Sequence, residues 1–259
     1  MDYIKNYKNK GYIIIKKFLN RNQLCKIEDE IKDIAINQIE KFNYKVKKKD
    51  LKNILFFAMK KNVNLRREIY NLLRYSFRIR QLQSDIRIIK ILKKIGLKIP
   101  LYTDIPSLRI DFSDEEKFLR GPHQDVGSVI SKNCATIWLP LTNVNEKSGS
   151  IAIYEKTHKR KLRKQLFIKK DRLVNNEVSL NGVHPKQKKI IDLKAGDLII
   201  FDSFVIHESV KSQLNDNLKL NIQFIANDAN EVNFKNKYYS LKRKFDGMRK
   251  KQIENNAQK

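Results

Sequence analysis

The apolar positions of this chain change their period part-way along. Gly11-Tyr-Ile-Ile-Ile-Lys-Lys-Phe-Leu19 reads as a strand led in by a glycine. Asn20 or Asn22 then offers a helix cap. Leu24, Ile27, Ile31, Ile34 and Ile39 follow at helical spacing, which predicts an amphipathic helix of about five turns. Lys45–Lys49 is a basic break. From Asn62 to Ile95 apolar residues return at Leu65, Ile69, Leu72, Leu73, Phe77, Ile79, Leu82, Ile86, Ile89 and Leu92. No proline or glycine interrupts that span before Gly96, so it too reads as helix. Beyond Pro100 the texture becomes one of short β-rich runs between turn residues: Ser107–Phe112, Val126–Ile130, Ala135–Leu141, Ser150–Tyr154, Lys189–Leu193, Asp197–Ile206 and Leu218–Ala226. Repeated short strands argue for a sandwich or barrel. Helices first and strands later give an α+β class, with the helices packed on one sheet.

Charge complicates this picture. The 259 residues hold 55 Lys+Arg against 28 Asp+Glu, a net charge of +27 that first suggests a nucleic-acid partner. Yet 41 of those cations are lysines, in a chain also rich in Ile, Asn and Tyr, the signature of AT-rich codons. Arginine, whose planar fork reads phosphates and bases, is the minority cation. A lysine-biased surface therefore accounts for most of the charge, and nucleic acid is set aside as the expected partner. Two local clusters stand out: residues 155–172, with nine Lys/Arg against two acids, and Leu241–Lys251. Such runs are usually solvated faces. Apolar residues at 41% and aromatics at 9% exclude global disorder. Cys25 and Cys134 cannot form a disulfide framework, which suits a reducing cytoplasm. The apolar run Tyr12–Ile15 is too short for a signal segment or membrane span. The expectation is a soluble, cytoplasmic protein of open oligomeric state.

The chemistry rests on few residues. There are four histidines: His123, His158, His184 and His207. His123-Gln124-Asp125 places an imidazole and a carboxylate two residues apart, which on a strand puts both on one face. His207 follows at the end of the run Asp197–Ile206. Two histidines and one carboxylate make the facial triad of non-haem Fe(II) oxygenases. The alternative for His123–Asp125 is a surface turn, since Gly121-Pro122 precedes it and Gly127 follows.

Longer stretches carry a resemblance. Gly11–Leu19, Leu108-Arg-Ile-Asp111, Gly121-Pro-His-Gln-Asp125, Thr136–Ser150, Thr157-His158-Lys159 and Gly196–Ser209 resemble, in order and spacing, the phytanoyl-CoA dioxygenase family of Fe(II)/2-oxoglutarate oxygenases. The resemblance implies a double-stranded β-helix, a jelly-roll or cupin-like barrel, buttressed by N-terminal helices. It implies one domain over residues 1–259: a helical buttress with one early strand (1–100), a barrel core (101–228) and a basic tail (229–259). It implies Fe(II) held by His123, Asp125 and His207, with 2-oxoglutarate and O2 as co-substrates. The reaction implied is hydroxylation of an anionic or polar small molecule, with release of succinate and CO2. The carboxylate at Asp125 favours hydroxylation over halogenation, while desaturation or ring closure stays open.

One departure is notable. The family's 2-oxoglutarate meets an arginine shortly after the distal histidine, but no Arg lies between 208 and 242 here. Lys219 is the natural substitute, with Lys211 as the fallback; an ordinary exposed lysine is the alternative reading. Lys219, Asn221 and Gln223 share one strand face, opposite Leu218, Leu220, Ile222 and Phe224. Ser209, Trp138 and Arg109 are further candidates for the 2-oxoglutarate subsite. Trp138 could equally be a core aromatic, and Arg109 could pair with Asp111 at i+2. Lys159, Arg160, Lys161 and Arg163 are candidates to attract an anionic substrate. His158 reads as a turn-fixing residue, His184 as exposed, Asp202 as a structural hydrogen-bonder, and Gly149 and Gly196 as turn glycines. A polyanion-binding protein or a pseudoenzyme on the same scaffold is the rival reading.

Overall fold

The computed structural model describes residues 3–47, 50–103, 105–127, 129–160, 162–170 and 173–232. Six helices come early: α1 (Tyr3–Lys10), α2 (Arg21–Lys41), α3 (Leu51–Lys61), α4 (Val63–Leu73), α5 (Phe77–Gln83) and α6 (Ile86–Ile95). Strand β1 (Tyr12–Ile15) lies between the first two. Asn20, rather than Asn22, caps α2: its side chain accepts from the Gln23 N–H while the Gln23 side chain accepts from the Asn20 N–H. The helical pattern over 62–95 is three helices and not one. Ser76 Oγ accepts from Ile79 N at 3.2 Å and Asp85 Oδ1 from Arg87 N at 2.8 Å, so each starts a new helix without proline or glycine. Helices α1 and α3 lay outside the periodic reading. α3 sits just past the basic break, capped by Asp50, and buries Ile54, Leu55, Ala58 and Met59.

The strands are β2 (Pro100–Tyr102), β3 (Ser107–Phe112), β4 (Cys134–Pro140), β5 (Ile151–Tyr154), β6 (Gln165–Lys170), β7 (Leu173–Val178), β8 (Lys188–Ile190), β9 (Leu198–Asp202), β10 (His207–Ser209) and β11 (Leu218–Asp228). A large antiparallel sheet runs β1-β9-β4-β11, with β2 and β3 both pairing β11. A small sheet runs β10-β5-β8, and β6–β7 form a hairpin. The fold is thus mixed helix and antiparallel sheet. Alternation along the large sheet decides its faces. Ile137, Leu139, Leu198, Ile200, Leu220 and Ile222 join α2–α6 in one core. Trp138, Ile199 and Phe201 point the other way and pack with Ile151 and Ile153 of the small sheet.

Three strand expectations change. Asp197–Ile206 is not one strand: β9 ends at Asp202, whose carboxylate accepts from Phe204 N at 2.8 Å, and the chain crosses to the small sheet before His207. Val126–Ile130 is not a strand. Its valines join a small core with Cys134 and Phe204, and the Ile130 N–H goes to the Asn227 side chain. The hairpin β6–β7 occupies part of the segment read above as a charge cluster. Residues 233–259, including the basic stretch 241–251, lie outside the described residues. Among the described residues no helix is long and apolar enough to cross a membrane.

Candidate metal centre

His123 and His207 meet backbone to backbone. His123 N donates to His207 O at 2.9 Å and His207 N to His123 O at 3.0 Å. This antiparallel bridge extends the small sheet and sets the two rings 4.1 Å apart. Asp125 N donates to Ser203 O at 3.1 Å, which ties the carboxylate's backbone to the crossover between β9 and β10. The ligand atoms of His123, Asp125 and His207 all lie within 4.8 Å of one another, and all three residues are buried. The surface-turn alternative for His123–Asp125 is therefore not what the fold shows.

Each imidazole Nδ1 faces a backbone carbonyl: Gly121 O at 2.8 Å for His123 and Val205 O at 3.1 Å for His207. A carbonyl can accept but not donate, so Nδ1 carries the proton and the Nε2 lone pair is left to the centre. His123 Nε2 stands 3.6 Å from Asp125 Oδ1, and His207 Nε2 stands 3.3 Å from Asp125 Oδ2. Burial, with Arg120 and His207 nearby, pushes His123 well below the usual imidazole value, so its ring is neutral. Burial alone would raise Asp125, but His207, His123 and Arg120 hold its carboxyl well below the usual carboxylate range. Thr136 Oγ1 and Gln223 Nε2 each donate to Asp125 Oδ2, at 3.1 and 2.9 Å, and fix its plane. Two imidazole Nε2 atoms and an oriented carboxylate fit a divalent first-row ion with positions left open.

Those positions open on a cavity lined by Arg109, Asp111, Arg120, Trp138, Phe201, Ser209, Lys219, Asn221 and Gln223 together with the histidines. The β11 stripe reads as the alternation predicts, with Lys219, Asn221 and Gln223 on the cavity side. Lys219 is 6% exposed and faces Asp111 in register across β3, with Nζ 3.4 Å from Oδ2. Arg109 Nη2 donates to Asp111 Oδ1 at 3.0 Å and to Phe118 O at 3.0 Å. Stability alone gives little reason for such a cluster, since apolar replacement of a buried ion pair is often neutral or stabilising by about 1–4 kcal/mol. Asn221 Oδ1, also buried in this wall, has no hydrogen-bond partner. The cavity is thus polar, cationic on one side and incompletely satisfied, as a site for a small anion would be.

A family model for phytanoyl-CoA dioxygenase (PhyH) matches residues 7–213. The chain belongs to this family. Among solved structures it is similar to the epimerase SnoN in complex with Fe3+, alpha ketoglutarate and nogalamycin RO, at 15% identity over 88% of this chain and 82% of that one, with a TM-score of 0.57. It is similar to EctD from S. alaskensis with 2-oxoglutarate and 5-hydroxyectoine, at 10% identity over 89% and 77% of the two chains and a TM-score of 0.55. It is also similar to the carbocyclase SnoK from nogalamycin biosynthesis, at 14% identity over 87% and 82% with a TM-score of 0.52. No curated protein matches the sequence.

In this PhyH chain the remaining sequence candidates fall in several places. Ser209, Trp138 and Arg109 line the cavity, and Arg109 also makes the Asp111 pair. Ser209 Oγ accepts from Arg120 N at 3.1 Å and keeps its own proton to donate. Lys211 is exposed and paired with Glu116. Among the described residues of the basic cluster, none lines this cavity. Lys159 is exposed, and Arg163 Nη1 donates to Ser179 O and Asn181 O, bracing the turn after β7. Lys161 and the Arg160 side chain lie outside what is described. His158 joins the turn to α1 through Lys8 O, and His184 caps a short turn at the surface.

Sequence reasoning missed Arg120 and Thr136, and read Gln223 only as a face-mate of Lys219 and Asp111 only as a partner of Arg109. Arg120 lines the cavity with Nη1 3.7 Å from Asp125 Oδ1, while Nη2 donates to Asn176 Oδ1 at 2.6 Å. Its place three residues before His123 is the signal that points to it.

Proposed function

We propose that this protein is an Fe(II)- and 2-oxoglutarate-dependent dioxygenase that hydroxylates a polar or anionic small molecule. The observation that carries the reading is the convergence of two imidazoles and one carboxylate, all buried, at a cavity that Lys219 also lines. The large and small sheets are read as the two faces of a double-stranded β-helix within one oxygenase domain, with α1–α6 as its buttress.

In this reading His123, Asp125 and His207 hold the iron. Bound there with 2-oxoglutarate and O2, it supplies the oxidising power that turns a substrate C–H into C–OH as the co-substrate is split to succinate and CO2. The chain's own part is placement. Lys219 offers its ammonium to the distal carboxylate of 2-oxoglutarate, with Ser209 and Asn221 as hydrogen-bonding neighbours. Trp138 and Phe201 wall the cavity against water, and Phe201 packs edge-on against His207 at 4.8 Å, steadying that ring. Arg120 gives the cavity a second cation for an acidic group of the substrate. Asp125 fills the position that a halide would need, so hydroxylation is the favoured outcome.

Anaerobic titration with Fe(II) and 2-oxoglutarate, followed by succinate release without substrate, tests the reading. Iron-dependent succinate is expected from the wild type and not from His123→Ala. Its absence from the wild type would favour a binding protein on the same scaffold. Lys219→Met is expected to weaken 2-oxoglutarate by about 10–100-fold, the worth of one charge-assisted hydrogen bond, with metal affinity unchanged. Gln223→Leu is expected to act on the other parameter. Losing an outer partner of a ligand costs about 10–100-fold in metal affinity, read by competition with a chelating dye.

A further inference from the structure

The substitution of lysine for arginine at the carboxylate anchor raises a physical problem. An arginine stays charged wherever it is placed, whereas a buried lysine loses its proton readily. Lys219 is buried in the wall of β11, and burial pulls its pKa below the ordinary value; Asp111 opposes that pull and Arg109 reinforces it. A neutral amine there would be a poor partner for a carboxylate.

We propose that Asp111 is the positioning residue of the 2-oxoglutarate subsite, holding the Lys219 ammonium charged and aimed along the β11 stripe. The inference rests on the reading of Lys219 as the anchor. Its geometry is a three-member chain. Asp111 and Lys219 are direct cross-strand partners, so their side chains rise together from one face of β3 and β11. Arg109, two residues along β3, takes Asp111 Oδ1 at 3.0 Å and is itself pinned to Phe118 O. That leaves Oδ2 turned to Lys219 at 3.4 Å, with no hydrogen bond of its own. The contact is long enough to support the charge without consuming all of the ammonium's donors.

The other charged groups around Lys219 are already engaged. On the cavity side, Glu208 of β10 is bonded to Tyr154 Oη and Lys188 Nζ, and Arg120 stands against Asp125 and Asn176. Behind Lys219, Glu115 is held by Arg66 and Lys60, and Glu116 by Lys211. Among the described residues, Asp111 is the carboxylate within ion-pairing distance of Lys219. Two cations share that single carboxylate, so the cluster keeps one positive charge to offer an incoming anion.

The test uses Mn(II)-loaded protein, which binds without turnover, and calorimetric titration across pH 6–9.5 with two probes. One is 2-oxoglutarate; the other is 2-oxobutyrate, which chelates through the same 2-oxo acid but has no distal carboxylate. In Asp111→Asn, 2-oxoglutarate is expected to bind at least as well as in the wild type at low pH, because a competing anion is gone. As pH rises its affinity should fall earlier than in the wild type, by up to about tenfold per pH unit once the lysine is neutral. 2-Oxobutyrate should not distinguish the two proteins. Asp111→Asn/Lys219→Arg should erase the pH dependence, since arginine keeps its proton. Arg109→Gln tests the same chain from its other end: with the opposing cation gone, 2-oxoglutarate should be retained to higher pH. Superimposable wild-type and Asp111→Asn profiles, or an Arg109→Gln profile that does not move, would overturn the role of Asp111. If Lys219→Met leaves the preference for 2-oxoglutarate over 2-oxobutyrate unchanged, the anchor reading itself fails instead.

Discussion

Asp125→Ala is expected to abolish iron-dependent succinate formation and to reduce Fe(II) affinity far more than any other single replacement around the cavity. Three causes act together. The change removes the anionic member of the donor set, and two imidazoles alone hold a divalent ion weakly at this open geometry. It strands Thr136 Oγ1 and Gln223 Nε2, whose hydrogen bonds end on Asp125 Oδ2. It also takes from Arg120, whose Nη1 lies 3.7 Å from Oδ1, the larger of its two opposing carboxylates and leaves only Glu177. The loss should exceed the roughly 10–100-fold that follows from removing an outer partner such as Gln223. Metal content after equilibrium dialysis and succinate release per iron check the two halves separately. Retained iron with lost succinate would mean that the carboxylate serves turnover and not binding.

The candidate metal group His123, Asp125 and His207 was legible in the sequence through the order and spacing of the family resemblance. His123 and Asp125 sit two apart, and His207 lies where an apolar run meets polar residues. The cavity stripe Lys219, Asn221 and Gln223 was legible locally, since a period of two assigns faces without knowing the partner strand. Other features depend on partners far away in the chain. Asp111 meets Lys219 because β3 pairs with β11 in one register, and nothing local to Leu108–Phe112 announces it. The crossover at Ser203–Ile206 was hidden because its apolar residues continue the pattern of β9 while their backbones turn. The breaks at Ser76 and Asp85 were readable as caps but were outweighed by an unbroken apolar period. The cluster 155–172 stands out by charge alone, which does not give a place in the fold: of its described residues Arg163 braces a turn, while Arg120, outside the cluster, lines the cavity.

Gly11 supplies the largest effect expected outside the ligand set. It opens the apolar run Tyr12–Ile15 at φ +94°, a conformation costly for any side chain. A Cβ there would stand 2.5 Å from Val205 Cγ2 and 2.6 Å from His158 Nδ1. Neither neighbour can retreat cheaply. His158 is fastened to Lys8 O, and the Val205 carbonyl is the acceptor that sets the tautomer of His207. Backbone strain of about 1–3 kcal/mol and overpacking of about 1–3 kcal/mol together give roughly 2–6 kcal/mol, a large share of a typical folding free energy. Gly11→Ala should therefore lower the Tm by roughly 4–24 °C and weaken metal binding, because the push on Val205 is transmitted to His207. Gly96→Ala is the matched control. Gly96, at the end of α6 and outside the cavity lining, also has a positive φ, +120°, but a Cβ there would meet nothing within 4 Å, so the strain is paid without contact. It should lose stability with metal affinity intact. Equal metal affinity in both variants would show that the β9–β10 crossover absorbs the displacement before it reaches His207, and the coupling argued for Gly11 would then be wrong.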